Sequence, residues 1–426
     1  MYLATSRPPN LPAAVGACFA ATSAIEDVWP EASDFSWAAG NAGLATAYLA
    51  LRLRTSDEWS ARRSELLLRR CLTQLRVGGA SPGLFSGVAG VAWTLTHAAA
   101  ILNDASFLRA AGTLCRTLGD ALRSGRLDSL GVDLITGLTG VGVAAHAFGD
   151  ATSDYSLLEV VANAIIARGT EHPHGLHWPT EVTHLPIVSA ARYPNGCQDF
   201  GPAHGHVGVM SFLHRASQPL RSQRGVLEAA ESSAAWLQSQ FSAELIGPLL
   251  PAVVSGDRKQ HVSHFGWCYS DLGCAAVTCA VAAYCSSSTL HRIGDALRIR
   301  ASAGYRERRT TSVTDDLSLC HGSPSTAMLL RSFDLSTDAA EEIGAASVLD
   351  EGITARVSSI ASDPRTALAG ISPPQIGPPA ASYGLLMGPV GTILHALSVA
   401  ENRRGPWWAE PFLLTRKSAQ RLYRES

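Results

Sequence analysis

The chain has 426 residues, of which 46% are hydrophobic, so it can bury one large core or divide into two or three domains. Its 34 Lys and Arg residues against 36 Asp and Glu residues give a formal net charge of -2. This near-neutral balance, without a basic tract, gives no support to nucleic-acid binding. The longest apolar run, around Cys274 to Cys285, is shorter than the ~18 to 20 residues that cross a bilayer, so no membrane insertion is expected.

The nine cysteines are odd in number and show no framework spacing, which indicates reduced thiols rather than disulfides. We therefore expect a soluble, cytoplasmic protein. The first 25 residues loosely imitate a secretory signal, but they are weakly hydrophobic and contain Gly16 and Cys18. We interpret this stretch as the first helix of the fold.

A Gly-x-x-Gly element followed by an apolar, Ala-rich stretch recurs seven times along the chain. The spacing between copies runs from 47 residues, Gly40 to Gly87, up to 68 residues, Gly137 to Gly205. Each interval holds two helices and two loops, which predicts a chain of helical hairpins. The copies begin at Gly40, Gly87, Gly137, Gly205, Ser270, Gly322 and Gly388.

The stretch after each glycine pair is apolar almost all round, which predicts a buried inner helix. The segments between are amphipathic, such as Asp57 to Leu75, where Thr55 and Glu58 fit a capping box. Glycine permits positive φ and close backbone approach, so the seven turns can crowd at one end of a ring. The pattern predicts an all-α toroid with an inner and an outer layer, and only His177 to Tyr193 alternates like a strand.

We expect a single domain over residues 1–426, with an irregular excursion at 171–200 that contacts a peptide. That interval carries four histidines, but their spacing matches no ligand pattern, so a second metal site is not predicted. The stretch Pro373 to Pro379 is interpreted as a loop. The four histidines are His172, His174, His177 and His184.

Three of the seven turns carry thiol or imidazole groups at equivalent positions of the repeat. They contribute Cys268, the Cys320-His321 pair and His204. Two thiolates and an imidazole suit zinc, and a Cys₂His set leaves a fourth position open, as at catalytic sites. We predict that Cys268, Cys320 and His321 bind one Zn²⁺, and we interpret the other cysteines as packing residues.

These motifs make the whole chain similar to the lanthionine synthetase C-like cyclases, which close thioether rings in lanthipeptides. The family's Trp-Cys-Tyr, Cys-His-Gly and His-Gly-x-x-Gly motifs stand at 267–269, 320–322 and 204–208, and its acidic residue before a Gly-Leu-x-Gly turn corresponds to Asp133. The resemblance implies an α/α toroid of seven inner and seven outer helices, which agrees with the repeat count.

The chain departs from the family pattern at three places. Ser270 replaces a glycine after the Trp-Cys-Tyr motif, and His264 replaces an arginine four residues before the first zinc cysteine. The sixth turn ends in Ser323-Pro324-Ser325 instead of a second glycine. The zinc triad is intact, but loss of the arginine puts the chemistry around the metal in question.

The resemblance implies intramolecular addition of a peptide cysteine to dehydroalanine or dehydrobutyrine in a dehydrated precursor peptide. A metal-bound thiol is deprotonated, and the enolate formed by attack needs charge stabilisation and a proton. His204 is the candidate acid, with a core histidine as the alternative, and Asp133 could orient a histidine, take the thiol proton or cap a helix. Tyr269 either donates to the oxyanion or packs beside Trp267, and His264 is either a replacement donor or a loop residue.

Two other functions compete with cyclisation. A zinc-bearing scaffold could bind peptide, or a dehydratase or other modification enzyme, without catalysing a reaction. A protein prenyltransferase β-subunit is also a helical toroid in which zinc activates a thiolate, but that family supplies an Asp, a Cys and a His as ligands and needs a cationic diphosphate pocket.

Overall fold

The computed structural model describes eleven stretches of the chain, which hold helices in two layers and a few short strands. The predicted loop Pro373 to Pro379 lies outside them. No helix within them is long and apolar enough to span a bilayer. The stretches are residues 12–28, 34–76, 79–185, 187–244, 247–262, 264–312, 316–333, 340–363, 367, 383–400 and 406–416.

Seven helices begin at the seven glycine turns and form the inner layer. Each packs on the next in chain order and the last packs on the first, so the layer is a closed ring. Their side chains are almost entirely buried, which confirms the predicted inner layer. The inner helices are α2 (Asn41–Thr55), α4 (Val88–Ile101), α6 (Leu138–Thr152), α9 (His206–Ala216), α11 (Asp271–Cys285), α13 (Ser323–Ser332) and α15 (Pro389–Ala400).

Seven further helices form the outer layer. Six of them pack on the inner helix that precedes them, and α1 packs on both α15 and α14. The predicted α/α toroid of seven inner and seven outer helices is confirmed. The outer helices are α1 (Ala13–Val28), α3 (Glu58–Leu75), α5 (Ala105–Arg123), α7 (Ser156–Ile166), α10 (Arg224–Ser239), α12 (Ser288–Ser312) and α14 (Ala340–Ser362).

The repeated glycines are required by close backbone approach. A Cβ on Gly87 would lie 1.9 Å from the carbonyl oxygen of Ser81, and one on Gly90 would lie 2.0 Å from that of Leu84. The φ angle of Gly87 is -144°, in the extended region open to any residue. The prediction of close approach is therefore correct, whereas positive φ is wrong at this turn because the chain enters the helix from extended backbone.

The cap of α3 differs from the predicted box. Asp57 is the N-cap, and its carboxylate accepts hydrogen bonds from the amides of Trp59 and Ser60. Thr55 is still the last residue of α2, and its hydroxyl donates to the carbonyl of Leu51. The predicted capping box of Thr55 and Glu58 is therefore wrong, because α2 extends through Thr55 and α3 begins only after Asp57.

Short strands occur only in the excursions of the described chain. β1 (Thr170–His172) and β2 (Gly175–His177) form a hairpin, and β3 (Gln198–Asp199) joins β4 (Val253–Ser255) and β5 (Arg258–Gln260) in an antiparallel sheet. The predicted strand from His177 to Tyr193 is wrong beyond its first residue. That segment forms a 3-10 turn and the short helix α8 (Ile187–Arg192), because its apolar side chains have no sheet face to cover: Ile187 is 89% exposed.

One backbone hydrogen bond joins each glycine turn to the next, and the seven bonds make a closed circuit. The backbone amide of the residue two places before the first repeat glycine donates to the carbonyl of the equivalent residue in the next turn. In the third turn the carbonyl of Ile135 accepts, and the amide of the preceding residue, Leu134, donates. The N···O distances run from 2.8 to 3.4 Å. The circuit passes through Ala38, Phe85, Leu134 and Ile135, Ala203, Cys268, Cys320 and Leu386, and returns to Ala38.

The inside of the ring is filled by residues 406–416, which include a 3-10 helix at Trp407–Phe412. The Glu410 carboxylate accepts from the Trp93 indole at 2.9 Å and lies 3.5 Å from the Arg215 guanidinium, on helices from different sides of the ring. Phe412 reaches the glycine turns, where the Trp267 indole donates to its carbonyl at 3.1 Å. The toroid therefore has a packed interior, and a functional site is expected at the end of the ring that carries the glycine turns.

Candidate metal centre

Two thiols and one imidazole meet at the mouth of the ring. The potential ligand atoms of Cys268, Cys320 and His321 all lie within 4.8 Å of one another. Among the described residues this is the one such group of three or more His, Cys, Asp or Glu side chains, so the histidines of the 171–200 excursion do not form a second one. The predicted proximity of these three residues, which was inferred from their positions in the repeat, is therefore present in the structure.

The turns that carry the two cysteines are joined by backbone and by one serine. Cys268 donates its amide to the carbonyl of Cys320 at 3.4 Å. The Ser325 hydroxyl accepts from the amide of Trp267 at 2.9 Å and donates to the carbonyl of Cys320 at 3.2 Å. The side chain that replaces the usual second glycine thus ties the two cysteine turns together.

The other serine departure caps a helix. Ser270 is the N-cap of α11, and its hydroxyl accepts from the amide of Gly273 at 3.1 Å and donates to the carbonyl of Gly266 at 2.6 Å. A serine cap satisfies an amide that the helix itself leaves unpaired. This departure from the family pattern supports the turn beside Cys268.

Asp316, which the sequence reasoning missed, holds His321. Its carboxylate lies 3.1 Å from Nε2 of His321, which leaves Nδ1 as the ring nitrogen open to a metal. In the protein without metal, this hydrogen bond and the nearby Cys320 raise the pKa of His321 to about 10. The carboxylate therefore fixes the ring and increases its basicity.

The two thiols form a hydrogen-bonded pair. The hydrogen bond from Cys268 lowers the pKa of Cys320 to about 6, with a further contribution from His321. The same bond and burial raise the pKa of Cys268. One thiolate thus forms readily at this site, and a cation would be needed to release the second proton.

His204 and Asp133 meet on neighbouring turns of the ring. Nδ1 of His204 lies 3.3 Å from Oδ1 of Asp133, and the His204 side chain is 41% exposed at the mouth. Asp133 also accepts from the amides of Ile135 and Thr136, so it shapes its own turn and is not the cap of α6, which begins after Gly137. The predicted pairing of an acid with a histidine is present, and it engages Nδ1 of the ring.

Asp199 is a second carboxyl to which the sequence alone assigned no role. It is 5% exposed, accepts from the amide of Gly201 at 2.9 Å and receives the hydroxyl hydrogen bond of Tyr269. Burial raises the pKa of Asp199 to about 7. Tyr269 in turn stacks beside His204, with ring centroids 6.1 Å apart.

These two carboxylates stand at the same place in the repeat. Asp199 and Asp316 each lie six residues before the first glycine of a turn, and each accepts from the amide two residues further on. Asp34 makes the same bond in the first turn. An Asp at this offset marks the start of a turn, and that pattern could have identified both residues.

His264 occupies the place of the family arginine without supplying a cation. Its ring centroid is 5.6 Å from that of His321, and its Nδ1 accepts from the amide of Gly266 at 3.1 Å. Burial and the neighbouring His321 lower the pKa of His264 to about 4. The ring is therefore neutral at pH 7 and carries its proton on Nε2 as a hydrogen-bond donor.

The donor set fits zinc. Cys sulfur and His nitrogen are its preferred ligands, bound at about 2.0 to 2.3 Å in a tetrahedron, and Asp316 supplies the carboxylate that commonly orients a ligating histidine. Three protein ligands leave one position for a fourth donor. The cluster could bind a metal ion in this way.

The fold and the site define an α/α-toroid protein with a candidate Cys₂His metal centre. The chain belongs to the lanthionine synthetase C-like protein family, whose model matches residues 31–413. Among solved structures it is similar to a nisin cyclase, with a TM-score of 0.69 and 17% identity over 93% of this chain and 96% of that chain. No curated protein matches the sequence. The predicted family and fold are confirmed, and at this identity the structural likeness concerns the fold alone.

Proposed function

We propose that the protein is a zinc-dependent lanthipeptide cyclase that adds peptide cysteine thiolates to dehydroalanine or dehydrobutyrine and so forms lanthionine or methyllanthionine. The observation that supports this most is the convergence of Cys268, Cys320 and His321 with ligand atoms within 4.8 Å of one another. Zinc bound there would hold the substrate thiol as an electron-rich thiolate in its fourth position.

His204 supplies the proton chemistry in this proposal. Addition breaks the π bond between the α- and β-carbons, forms a bond from sulfur to the β-carbon and releases the thiol proton, and the resulting enolate takes up a proton at the α-carbon. Asp133 holds Nδ1 of His204, so Nε2 can deliver that proton to the peptide. We keep Tyr269 as a candidate donor to the enolate oxygen, a role in which its single hydroxyl proton would turn from Asp199 to the enolate.

His264 takes a smaller role than the arginine it replaces. As a neutral ring it offers one hydrogen bond from Nε2, whereas an arginine would offer a permanent charge and a fork of donors. This loss is the observation that favours the second candidate function, a zinc-bearing scaffold that binds peptide or a partner modification enzyme. The two functions differ in whether a peptide thiol is consumed.

The proposed function also bears on the substrate, the cellular location and the domain organisation of the protein. We propose that the substrate is a precursor peptide dehydrated by a separate dehydratase, because the site holds groups for thiol addition and proton return. All nine cysteines are free thiols, which supports the proposal of a cytoplasmic location. We also propose that residues 1–426 act as one domain, since the inner helices close a single ring.

A thiol-consumption assay tests the proposal. Zinc-loaded protein is incubated with a synthetic peptide that carries one dehydroalanine and one cysteine, and the remaining thiol is titrated by alkylation. Cyclisation leaves the peptide mass unchanged while the alkylated fraction falls. The Cys320→Ala protein measures the background addition. Equal thiol loss with both proteins would reject the cyclase and leave the scaffold.

A further inference from the structure

A cavity of about 520 Å³ lies directly beside the candidate metal centre. It is bounded by the loop 247–262 on one side and by α12 on the other. Two of its lining residues also border the centre: Tyr269 follows Cys268 in the chain, and His264 lies with its ring 5.6 Å from that of His321. The cavity therefore adjoins two of the side chains that surround the centre.

The cavity is lined by polar and apolar residues, and four apolar side chains form part of its buried side. Leu250, Ala252, Phe265 and Ala301 contribute to it, and each is buried in the fold at 5% exposure or less. The volume falls within the range of ~300 to 1,000 Å³ that binding pockets show. The space is thus large enough for several side chains and offers them an apolar surface.

Two of the three charged residues that line the cavity are hydrogen-bonded to the loop. Asp271 accepts from the amide of Leu249 at 2.6 Å, and the Arg300 guanidinium donates to the carbonyl of Gly247 at 2.9 Å. These bonds hold the loop 247–262 against α11 and α12. Because Asp271 and Arg300 serve the loop and the third charged residue, Glu307, is exposed, the buried side of the cavity offers apolar contacts more than an anionic or cationic site.

We propose that this cavity binds an apolar segment of the substrate peptide, formed by the residues that flank the reacting cysteine. The proposal rests on the proposed function, since the cysteine must sit at the metal centre for its neighbours to reach the cavity. It assigns Ala303 and Leu250 as residues that determine which peptide sequences are accepted. Burial of a large apolar side chain contributes about 1.5 to 3 kcal/mol, which corresponds to about ten- to a hundredfold in affinity.

The proposal is tested with variants that fill the cavity. Ala303 lines the cavity from α12 and is exposed, so Ala303→Trp occupies the space without replacing a buried side chain. Ala303→Ser keeps the space open and serves as the matched control at the same position. His291→Trp places the same bulk on an exposed turn of α12 away from the cavity. Far-UV circular dichroism and the unfolding midpoint check each variant, and Ala303→Arg replaces the Trp variant if that one does not fold.

Two labelled peptides are the probes. Both carry one cysteine and an alanine in place of the dehydroamino acid, so neither can react, and they differ in having phenylalanine or glycine at the two positions on each side of the cysteine. Fluorescence anisotropy gives their Kd values with zinc-loaded protein. We expect the wild type, Ala303→Ser and His291→Trp to bind the phenylalanine peptide at least about tenfold more tightly. Ala303→Trp should bind both peptides alike.

Equal affinity of the wild type for the two peptides would overturn the proposal, and so would a preference that survives in Ala303→Trp. Neither result depends on turnover. Failure of the proposed cyclase activity is read separately, as absence of thiol loss with a dehydroalanine peptide. A peptide preference without cyclisation would leave the cavity assignment standing and support the scaffold.

Discussion

His204 and Asp133 form an ion pair across two neighbouring turns of the ring, with 3.3 Å between Nδ1 and Oδ1. Burial alone would lower the pKa of His204, but the hydrogen bond and charge of Asp133 outweigh it and raise the pKa. The same pair lowers the pKa of Asp133 against the effect of burial. Because the pKa of His204 is higher in the folded protein, the ion pair stabilises the fold fully below pH ~6.5. This contribution is lost as the pH rises through the pKa of His204 in the folded state.

Asp133→Asn should therefore lower the pKa of His204 and reduce cyclisation at neutral pH, because less of the imidazole remains protonated. Histidine NMR titration measures the pKa, and the basic limb of the pH–rate profile should move to lower pH. Asp120→Asn, which breaks an exposed ion pair with Arg123 on α5, is the control. An unchanged His204 titration would show that Asp133 does not set its protonation.

Cys320→Ala should abolish stoichiometric zinc binding while the helices stay folded. The side chain lies at the mouth, whereas its backbone bonds to Cys268 and Leu386 do not need the sulfur. Elemental analysis and far-UV circular dichroism give the two readouts. Cys115→Ala, on outer helix α5, should retain zinc. Full zinc content in the Cys320 variant would contradict the ligand assignment.

Gly266→Ala should weaken metal binding without removing a ligand. A Cβ at this position would lie 2.2 Å from Cα of His321 and 2.7 Å from the carbonyl oxygen of Cys320, so the sixth turn has to move. A drop in zinc affinity of about ten- to a hundredfold is expected, as for other losses of ligand support. Competition with a chromogenic chelator measures it.

Gly352→Ala is the matched control for that substitution. It lies within α14, and a Cβ there meets nothing within 4 Å. Alanine at an open helix position should stabilise the fold by about 0.5 to 1 kcal/mol and leave zinc affinity unchanged. Equal affinities in the two glycine variants would mean that contact between the turns does not position the ligands.

Glu410→Gln should reduce the loss of stability in acid. Burial alone would raise the pKa of Glu410, but its hydrogen bond to His97 and the charges of His97 and Arg215 lower it to about 2 from the ordinary 4.5. A carboxylate with a depressed pKa stabilises the fold above ~4.5 and loses this contribution, about 3 kcal/mol here, as the pH falls toward 2. The variant should be less stable at pH 7 and should show a flatter free energy of unfolding between pH 5 and pH 2 in denaturant titrations.

Asp199→Asn should stabilise the metal-free protein at alkaline pH. Burial raises the pKa of Asp199 to about 7, so the wild-type fold loses stability as the pH rises from ~4 to 7. Asparagine avoids the buried charge, and the expected gain at pH 8 is up to about 4 kcal/mol. The two proteins should converge near pH 4. Chemical denaturation at both pH values measures the difference, and equal stability at pH 8 would place the wild-type carboxyl in a solvated state.

The sequence predicted the layers because the pattern that encodes them is local. Each inner helix follows a glycine pair and is apolar all round, so α2 and α4 could be recognised from their own residues. The excursion at 171–200 could not, because its turn and short helix depend on contacts with distant residues such as the bond between His184 and the carbonyl of Ser129. The sequence showed Ser325 only as the replacement of a glycine. Its hydrogen bond with Trp267 could not be predicted, because it joins two different turns of the ring.

The site was predictable where repeat position alone decides proximity. Cys268 and Cys320 occupy the same offset in adjacent turns, so their approach follows from the register. The sequence assigned no role to Asp199 or Asp316, because an Asp before a glycine turn is primarily a turn-forming residue. Its second role depends on which side chain the neighbouring turn places beside it.

The circuit of backbone hydrogen bonds around the mouth also affects local unfolding of the protein. An open array of repeats frays from its terminal units, so protection of its amides falls off toward either end. The seven turns form a loop without a terminal unit, and the amide of Cys320 is held by Leu386 while its carbonyl holds Cys268. Deuterium should therefore enter these seven amides at similar rates, in one concerted event.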